Sequence, residues 1–480
     1  MHHIVKPHLP EDAATRATPI SRRDLLKLAG ATSLLGLMAL TPRPLRYAQS
    51  GQKQPNIVYL HSHDTGRYIE PYGHRVSTPN LKRFAEEGML FSQAFSASPT
   101  CSPSRASLHT GMTPGSNGMW GLAHKGYSLN DYGQGLVPFL KGAGYTSVLA
   151  GVQHIASGTP EACAKLIGYD RLLPTFGIRA HQVADAAVQF LGDAPEGPFF
   201  LDVGFVETHL LKDRGDTRFG YAKGDPTRAL IPASLSDTHE TRRDMADYEV
   251  AVDALDSGMG RILNALEQSG LKDNTLVIIT TDHGLPMPGM KSNHTDGGLG
   301  VMLMLRGPGG FTGGKVSNAL VSQIDLFPTL CELLELPEPA WLQGRSLMPL
   351  VRGETDEINE AVYAEHEAHA VNEPQASVRT ARYRYIRRLD GDEQVRPRNT
   401  DWTFTKELWM QEGWAERPLA CEALYDLEED PAERHNLIAD PAYQNVLGQL
   451  RGLMVARMER FENPLLRGYN VATSAPQRHA

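Results

Sequence analysis

The chain has 480 residues, 41% hydrophobic and 21% charged, enough apolar material for one large core or two domains, which excludes a disordered tail, a collagen-like fibre and a disulfide-held mini-protein. Its net charge of −9 excludes a nucleic-acid binder that works through overall positive charge, so an anionic substrate must meet a local cationic pocket. Cys101, Cys163, Cys331 and Cys421 lie far apart, without a CxxC or other metal spacing, and imply no disulfide framework.

At the N-terminus, SRRDLLK at Ser21 to Lys27 precedes an apolar run from Leu28 to Leu40 and a stretch with two prolines ending near Ala48. This is the pattern of a twin-arginine export signal over residues 1–48, with an amphipathic anchor or uncleaved signal as the rival. The run is shorter than the ~20 residues a membrane span needs. Removing residues 1–48, which hold seven Lys/Arg against three Asp/Glu, leaves a chain of charge −13. The expected location is the periplasm or another exported compartment, reached through the twin-arginine machinery.

Asn56 to Leu60, NIVYL, is the first expected strand, a short β-branched run suited to a buried parallel sheet. Thr78 and Pro79 then open a helix closed by Gly88. The same alternation returns with strands at Thr146 to Gly151, Pro198 to Phe205 and Thr275 to Thr280, and Met245, Tyr248, Val252, Leu255, Met259, Ile262 and Leu266 mark a long helix before the last. The pattern predicts an α/β fold, a doubly wound sheet flanked by helices over residues 52–353. Residues 354–480 read as a smaller C-terminal α+β subdomain: VRTARYRYIRRL at Val378 to Leu389 alternates like one antiparallel strand, and Tyr443, Leu447, Leu450, Met454 and Met458 share a helix face. The arginines at 379, 382, 384, 387 and 388 are expected to protect an exposed edge rather than bind an acidic glycan.

Ligands of open α/β sheets collect at the carboxyl ends of strands. Asp64, His154, His209, Asp282 and His283 all follow expected strands, and their convergence points to a site. In TCSPSRASLHTG, Thr100 to Gly111, Ser102 can cap a helix with Pro103 at its first position, which puts Cys101 just outside a helix N-terminus and Arg105 a turn inside. Backbone N–H groups, the helix dipole and a guanidinium then face an anion near Cys101, and the same field favours thiolate in an unmodified cysteine.

CSPSR followed by LHTG resembles the C-x-P-S-R signature of type I sulfatases of the alkaline phosphatase superfamily, and PNIVYL, STPNLKRFAEEGMLFSQAFS, TLVIITTDHG, QIDLFPTL and ALYDLEEDPAERHNL extend the resemblance over nearly everything after residue 52. CSPSRASLHTG, NGMWG and DHGLPMPGMKSN look most like the N-sulfoglucosamine sulfohydrolase branch. The resemblance implies an alkaline-phosphatase-like fold and conversion of Cys101 to formylglycine by a maturase before export. In that mechanism one hydroxyl of the hydrated aldehyde attacks sulfur, the alcohol or amine leaves, and the second hydroxyl expels sulfate. It also implies one divalent metal, calcium favoured, held by Asp64, Asp282, His283 and the residue derived from Cys101. Arg105 and Lys291 are then the sulfate-binding cations, with His154 and His209 near the nucleophile, leaving group and sulfate.

Two departures from the family pattern stand out. His63, expected as the fourth protein ligand of the metal, replaces the first of two consecutive aspartates and is a softer donor than calcium prefers, and Val152 replaces a lysine two residues before His154. Lys125, in GLAHKG, is the first choice to replace that cation and bind substrate, and His61 and His294 flank the proposed centre, with His294 an expected substrate contact. The expected function is hydrolysis of a sulfate ester or sulfamate on a sulfated sugar or small sulfated substrate. Phosphonate or phosphate ester hydrolysis and non-catalytic sulfoglycan binding are the alternatives.

Overall fold

In Asn56–Ser62 (β1), Ile57 and Tyr59 point into one apolar layer and Val58 and Leu60 into another, the two-sided burial of a strand inside a parallel sheet. The computed structural model describes residues 54–193, 197–211 and 218–467; the segment read as an export signal lies outside the described residues. Among those described, no helix is long and apolar enough to cross a membrane. Met89–Phe95 (β2), Thr146–Gly151 (β3), Arg171–Leu172 (β4), Phe199–Gly204 (β5), Thr275–Thr281 (β6), Leu303–Arg306 (β7) and Lys315–Ser322 (β8) complete a sheet of order β4-β3-β5-β1-β6-β7-β2-β8. Only the pairings made by β7 are antiparallel, which makes this the mixed, doubly wound sheet expected.

Helices Ala180–Gly192 and His239–Gln268 cover one face, the second through the stripe Met245, Tyr248, Val252, Leu255, Met259, Ile262 and Leu266. Helices Cys101–Thr110, Leu136–Gly142 and Leu326–Leu333 cover the other. The register brings the carboxyl ends of β5, β1 and β6 level, with His61 opposite Gly204 and Ser62 opposite Thr281. A Cβ on Gly204 would lie 1.8 Å from the Val152 carbonyl oxygen and 2.6 Å from Cε1 of His61, so the strand ends close up here around a glycine.

Val362–Ala368 (β9), Asn372–Arg379 (β10), Tyr383–Arg388 (β11) and Glu422–Asp426 (β12) form a separate antiparallel sheet of order β12-β11-β10-β9. The helix Gln444–Arg460 backs it with Leu447, Leu450, Met454 and Met458. The stretch Val378 to Leu389 is therefore not one strand. It is a hairpin whose turn is closed by Thr380 N–H donating to the Tyr383 carbonyl at 2.9 Å and Tyr383 N–H donating to Thr380 Oγ1 at 3.0 Å. The turn lacks Gly, Pro, Asn and Asp, so the residues that normally mark one are missing.

The expected arginine edge is also corrected, because β11 lies inside its sheet. Arg379, Arg384 and Arg388 are buried. Arg379 Nε and Arg384 Nη2 both reach Asp296 Oδ1, Arg384 Nε is 2.8 Å from Glu433 Oε1, and Arg388 Nη1 is 2.9 Å from Glu373 Oε1. Arg387 stays exposed and Arg382 pairs with Asp426. Arg384→Met is expected to cost about 3 kcal/mol in chemical denaturation, because the buried Glu433 loses its ion-pair partner, whereas Asp296, partly exposed, keeps Arg379 and Arg67.

Candidate active site

Cys101 is the first residue of its helix rather than the residue before it. The N-cap is Thr100, in extended conformation and without a side-chain capping bond, and Ser102 instead accepts the Ala123 N–H at 3.0 Å through Oγ. Pro103 did not mark the helix start because a proline anywhere in a first turn removes an N–H that has no helical acceptor. Arg105 still lies one turn on from Cys101, and both side chains are buried. The expected thiolate is reversed as well: burial raises the Cys101 thiol well above its ordinary pKa, and although Lys291 and Arg105 oppose this, Asp282 and Asp64 reinforce it.

Asp282, after β6, is the hub. Its Oδ1 accepts the backbone N–H groups of Asp64 and His283, each at 2.9 Å. Its Oδ2 accepts Arg105 Nε at 3.2 Å and Nη2 at 3.0 Å and lies 3.0 Å from His63 Nδ1. Burial alone would raise this carboxyl, but His283, Arg105 and His63 outweigh it and hold it well below the usual range. Asp64 and His154 both adopt left-handed backbone, φ 55° and 59°, the kind of local strain that gathers at functional sites.

His63, Asp64, Cys101 and Asp282 bring donor atoms within 4.8 Å of one another. His283 donates from Nδ1 to the Gly284 carbonyl at 3.0 Å, which leaves the Nε2 lone pair facing Asp64 Oδ1 at 3.2 Å and Cys101 Sγ at 3.3 Å. His63 Nδ1 and Asp64 Oδ1 are buried and make no well-aligned hydrogen bond; their nearest polar neighbours are Asp282 Oδ2 at 3.0 Å and His283 Nε2 at 3.2 Å, themselves atoms of the same cluster. Imidazole nitrogens and carboxylate oxygens converging on one buried spot, with no well-aligned hydrogen bond for His63 Nδ1 or Asp64 Oδ1, fit a divalent cation.

Lys291 is fully buried and sits 2.8 Å from Asp64 Oδ2, 3.4 Å from His209 Nε2 and 2.6 Å from Asp401 Oδ2. Burial opposes its charge, but Asp401, Asp64 and Cys101 together raise its pKa well above the ordinary lysine value. Its ammonium thus fills the space among Asp64, His209 and Asp401, another trio of potential metal ligands. His209 donates from Nδ1 to the Leu210 carbonyl, so its Nε2 can accept from Lys291. His154 tilts over His63 with ring centroids 5.4 Å apart; burial and Arg105 lower its pKa to about 3, so it is a neutral imidazole.

Two expected substrate contacts are placed elsewhere. Lys125 is exposed on the turn Ala123–Lys125, and its neighbour His124 is the side chain brought to the site, stacked on His154 with ring centroids 5.7 Å apart. His294 is buried between the sheets, 2.9 Å from Ser377 Oγ and 2.9 Å from His366 Nδ1. Asp401 and His369, whose imidazole is held neutral chiefly by burial and by Lys291, also belong to this neighbourhood. Neither stands in a periodic or motif-bearing stretch, so no sequence signal points to them; His124 had one, its place beside Lys125.

Residues 55–336 match the family model described as Sulfatase, and residues 294–396 match one described as N-sulphoglucosamine sulphohydrolase, C-terminal. The N-sulphoglucosamine sulphohydrolase of Homo sapiens is 29% identical over 445 residues, covering 82% of this chain and 88% of that protein. An ulvan-active sulfatase of Formosa agariphila is 29% identical over 409 residues, covering 83% and 78%. A structure solved with its substrate D-glucosamine-2-N,6-O-disulfate aligns with TM-score 0.64 at 18% identity, over 85% of this chain and 98% of that one. The phosphonate monoester hydrolase of Agrobacterium radiobacter aligns with TM-score 0.62 at 22% identity, over 85% and 96%. These structural likenesses speak for the shared fold, which is alkaline-phosphatase-like. Matched over more than half its length, through the segments that supply Asp64, Cys101, His154, His209, Asp282 and Lys291, the chain belongs to the sulfatase family, hydrolases of sulfate esters or sulfamates.

Proposed function

We propose that this sulfatase releases sulfate from a sulfated sugar, using formylglycine made from Cys101 and one divalent metal. The carrying observation is Cys101 at a buried helix N-terminus, with Arg105 one turn along and Asp64, Asp282, His283 and His63 gathered beside it. Left unmodified, that thiol stays protonated and is a poor nucleophile. Hydrated formylglycine supplies the attacking hydroxyl and a second hydroxyl for sulfate release, and a metal held by His63, Asp64, Asp282 and His283 supplies positive charge. Arg105 and Lys291 hold the negative charge of the sulfuryl group, in a site dry enough for both to count. His154, neutral, flanks the nucleophile, and His209 flanks Lys291 on the sulfate side.

The name of the human relative and the ligand of the solved neighbour make N-sulfated glucosamine the first substrate to try. Protein co-expressed with a formylglycine-generating maturase is expected to carry the modification at Cys101 by peptide mass spectrometry. It should also release sulfate faster from glucosamine N-sulfate or O-sulfated sugars than phosphonate from a phosphonate monoester. Faster phosphonate turnover would favour the alternative hydrolase, and binding of sulfated sugar with no release would make the protein a sulfoglycan binder.

We assign calcium as the metal, with an imidazole in place of one carboxylate. Ligand charge count tunes calcium affinity, so His63→Asp is expected to tighten calcium binding about tenfold in isothermal titration; unchanged or weaker binding would remove His63 from the ligand set. Residues 52–353 are read as the catalytic part and 354–480 as a subdomain that lends it Asp401. Residues 1–48 are read as the signal that exports the modified, folded enzyme to the periplasm, and fractionation of a variant with Arg22 and Arg23 changed to lysine tests this.

A further inference from the structure

Arg105 offers five N–H groups, and the fold commits four of them. Nε and Nη2 donate to Asp282 Oδ2, Nη2 also donates to the Ser62 carbonyl at 2.7 Å, and Nη1 donates to Nδ1 of His61. One Nη1 hydrogen remains beyond these bonds. A guanidinium cannot accept a hydrogen bond, so the lone pair of this contact must be on His61 Nδ1 and the ring hydrogen on Nε2. There, Nε2 meets Asp202 Oδ1 at 2.8 Å. Asp202 stands within β5 at 0% exposure, and its second oxygen accepts the Tyr169 hydroxyl and faces His109 Nε2 at 3.5 Å. The His61 ring is pinned: Tyr59 stacks on it at 4.7 Å, and the space beside Cε1 exists because residue 204 is glycine.

We propose that His61 and Asp202 are positioning residues for sulfate transfer: Asp202 selects the Nε2–H form of His61, and His61 Nδ1 then holds the Nη1 end of Arg105 so that its uncommitted N–H is presented towards the nucleophile. Asp282 supplies the charge that keeps a guanidinium here, but a carboxylate accepts over a wide arc. The Ser62 carbonyl completes the hold on the Nε and Nη2 edge, and the imidazole lone pair, which lies in one direction, engages the Nη1 end that carries the uncommitted N–H. A buried chain of Asp202, His61 and Arg105 therefore runs from the interior of the sheet to the helix that starts with Cys101, and it contains no metal ligand.

The inference rests on the reading of Arg105 as a cation of the reaction, and the test separates the two. Full-length, modified protein is assayed on 4-nitrophenyl sulfate, with kcat, KM and the thermal midpoint recorded for each variant. His61→Asn and His61→Leu have nearly the same shape, but only asparagine keeps an oxygen where Nδ1 accepted from Arg105. His61→Leu is expected to lower kcat roughly 100-fold, and His61→Asn less than about tenfold, with KM within about threefold of wild type in both. A His61→Leu enzyme as fast as His61→Asn overturns the proposal. Asp202→Ala is expected to lower kcat about tenfold or more in the wild-type background and less than about twofold in the His61→Asn background, where no tautomer needs selecting; equal losses in both overturn it. If Asp202→Ala does not fold, the two His61 variants decide alone. Arg105→Ala at full rate would refute the reading beneath the proposal, whereas a slow Arg105→Ala beside indifferent His61 variants refutes the proposal only.

Discussion

Cys101→Ala is expected to lower kcat by roughly four orders of magnitude or more while shifting the thermal midpoint by only about 2 °C. The rate loss follows from removing the only atom from which the formylglycine nucleophile can be made. Sulfate binding should survive, since Arg105 and Lys291 are untouched. The small stability effect has a structural basis: the side chain is buried at the first position of its helix, where truncation to alanine removes one sulfur and one contact, to His283 Nε2 at 3.3 Å. Initial rates and scanning calorimetry on the same preparation check both halves. A variant that still turns over at a few per cent of the wild-type rate would mean that Cys101 is not the nucleophile's precursor.

Asp282→Asn should be nearly as severe on rate and far worse for stability. The carboxylate presents acceptors on both sides: Oδ1 to two backbone N–H groups, Oδ2 to Arg105 and towards His63. An amide can satisfy one side only, and its NH2 then meets donors on the other. The buried guanidinium also loses its counter-charge, which costs about 3–5 kcal/mol. The expected result is a fall in kcat of roughly 1000-fold, metal content dropping well below one ion per chain by elemental analysis, and a clearly lower denaturation midpoint. Normal metal content with normal kcat would remove Asp282 from the site.

What could be read from the residues followed the range of the forces involved. β1, β3, β5 and β6 were legible because each is a short β-branched or apolar run, and Asp64, His209 and Asp282 because they follow such runs. Cys101 and Arg105 were legible from one local signature. The hairpin turn at Thr380 to Arg382 was not, because alternation continues across it and no turn residue interrupts it. Asp401 was hidden for a different reason: its importance comes from the 2.6 Å contact with Lys291, 110 positions earlier in the chain, and no local pattern encodes a pairing at that distance. Arg384 misled because an alternating strand looks the same whether it ends at the edge of a sheet or inside it.

The buried arginines of the small sheet set rules for recombining this enzyme with its relatives. A chimera joined near residue 353 would take Asp296 from one parent and Arg379 and Arg384 from the other, and Lys291 would meet whatever the second parent offers in place of Asp401. Unless the donor carries matching partners, such a hybrid would bury unpaired charge at the seam and loosen the loop that bears Lys291. Exchangeable blocks in this enzyme are therefore defined by ion-pair partnership rather than by sheet boundaries, and the segment from Lys291 to Asp296 must travel with the C-terminal sheet.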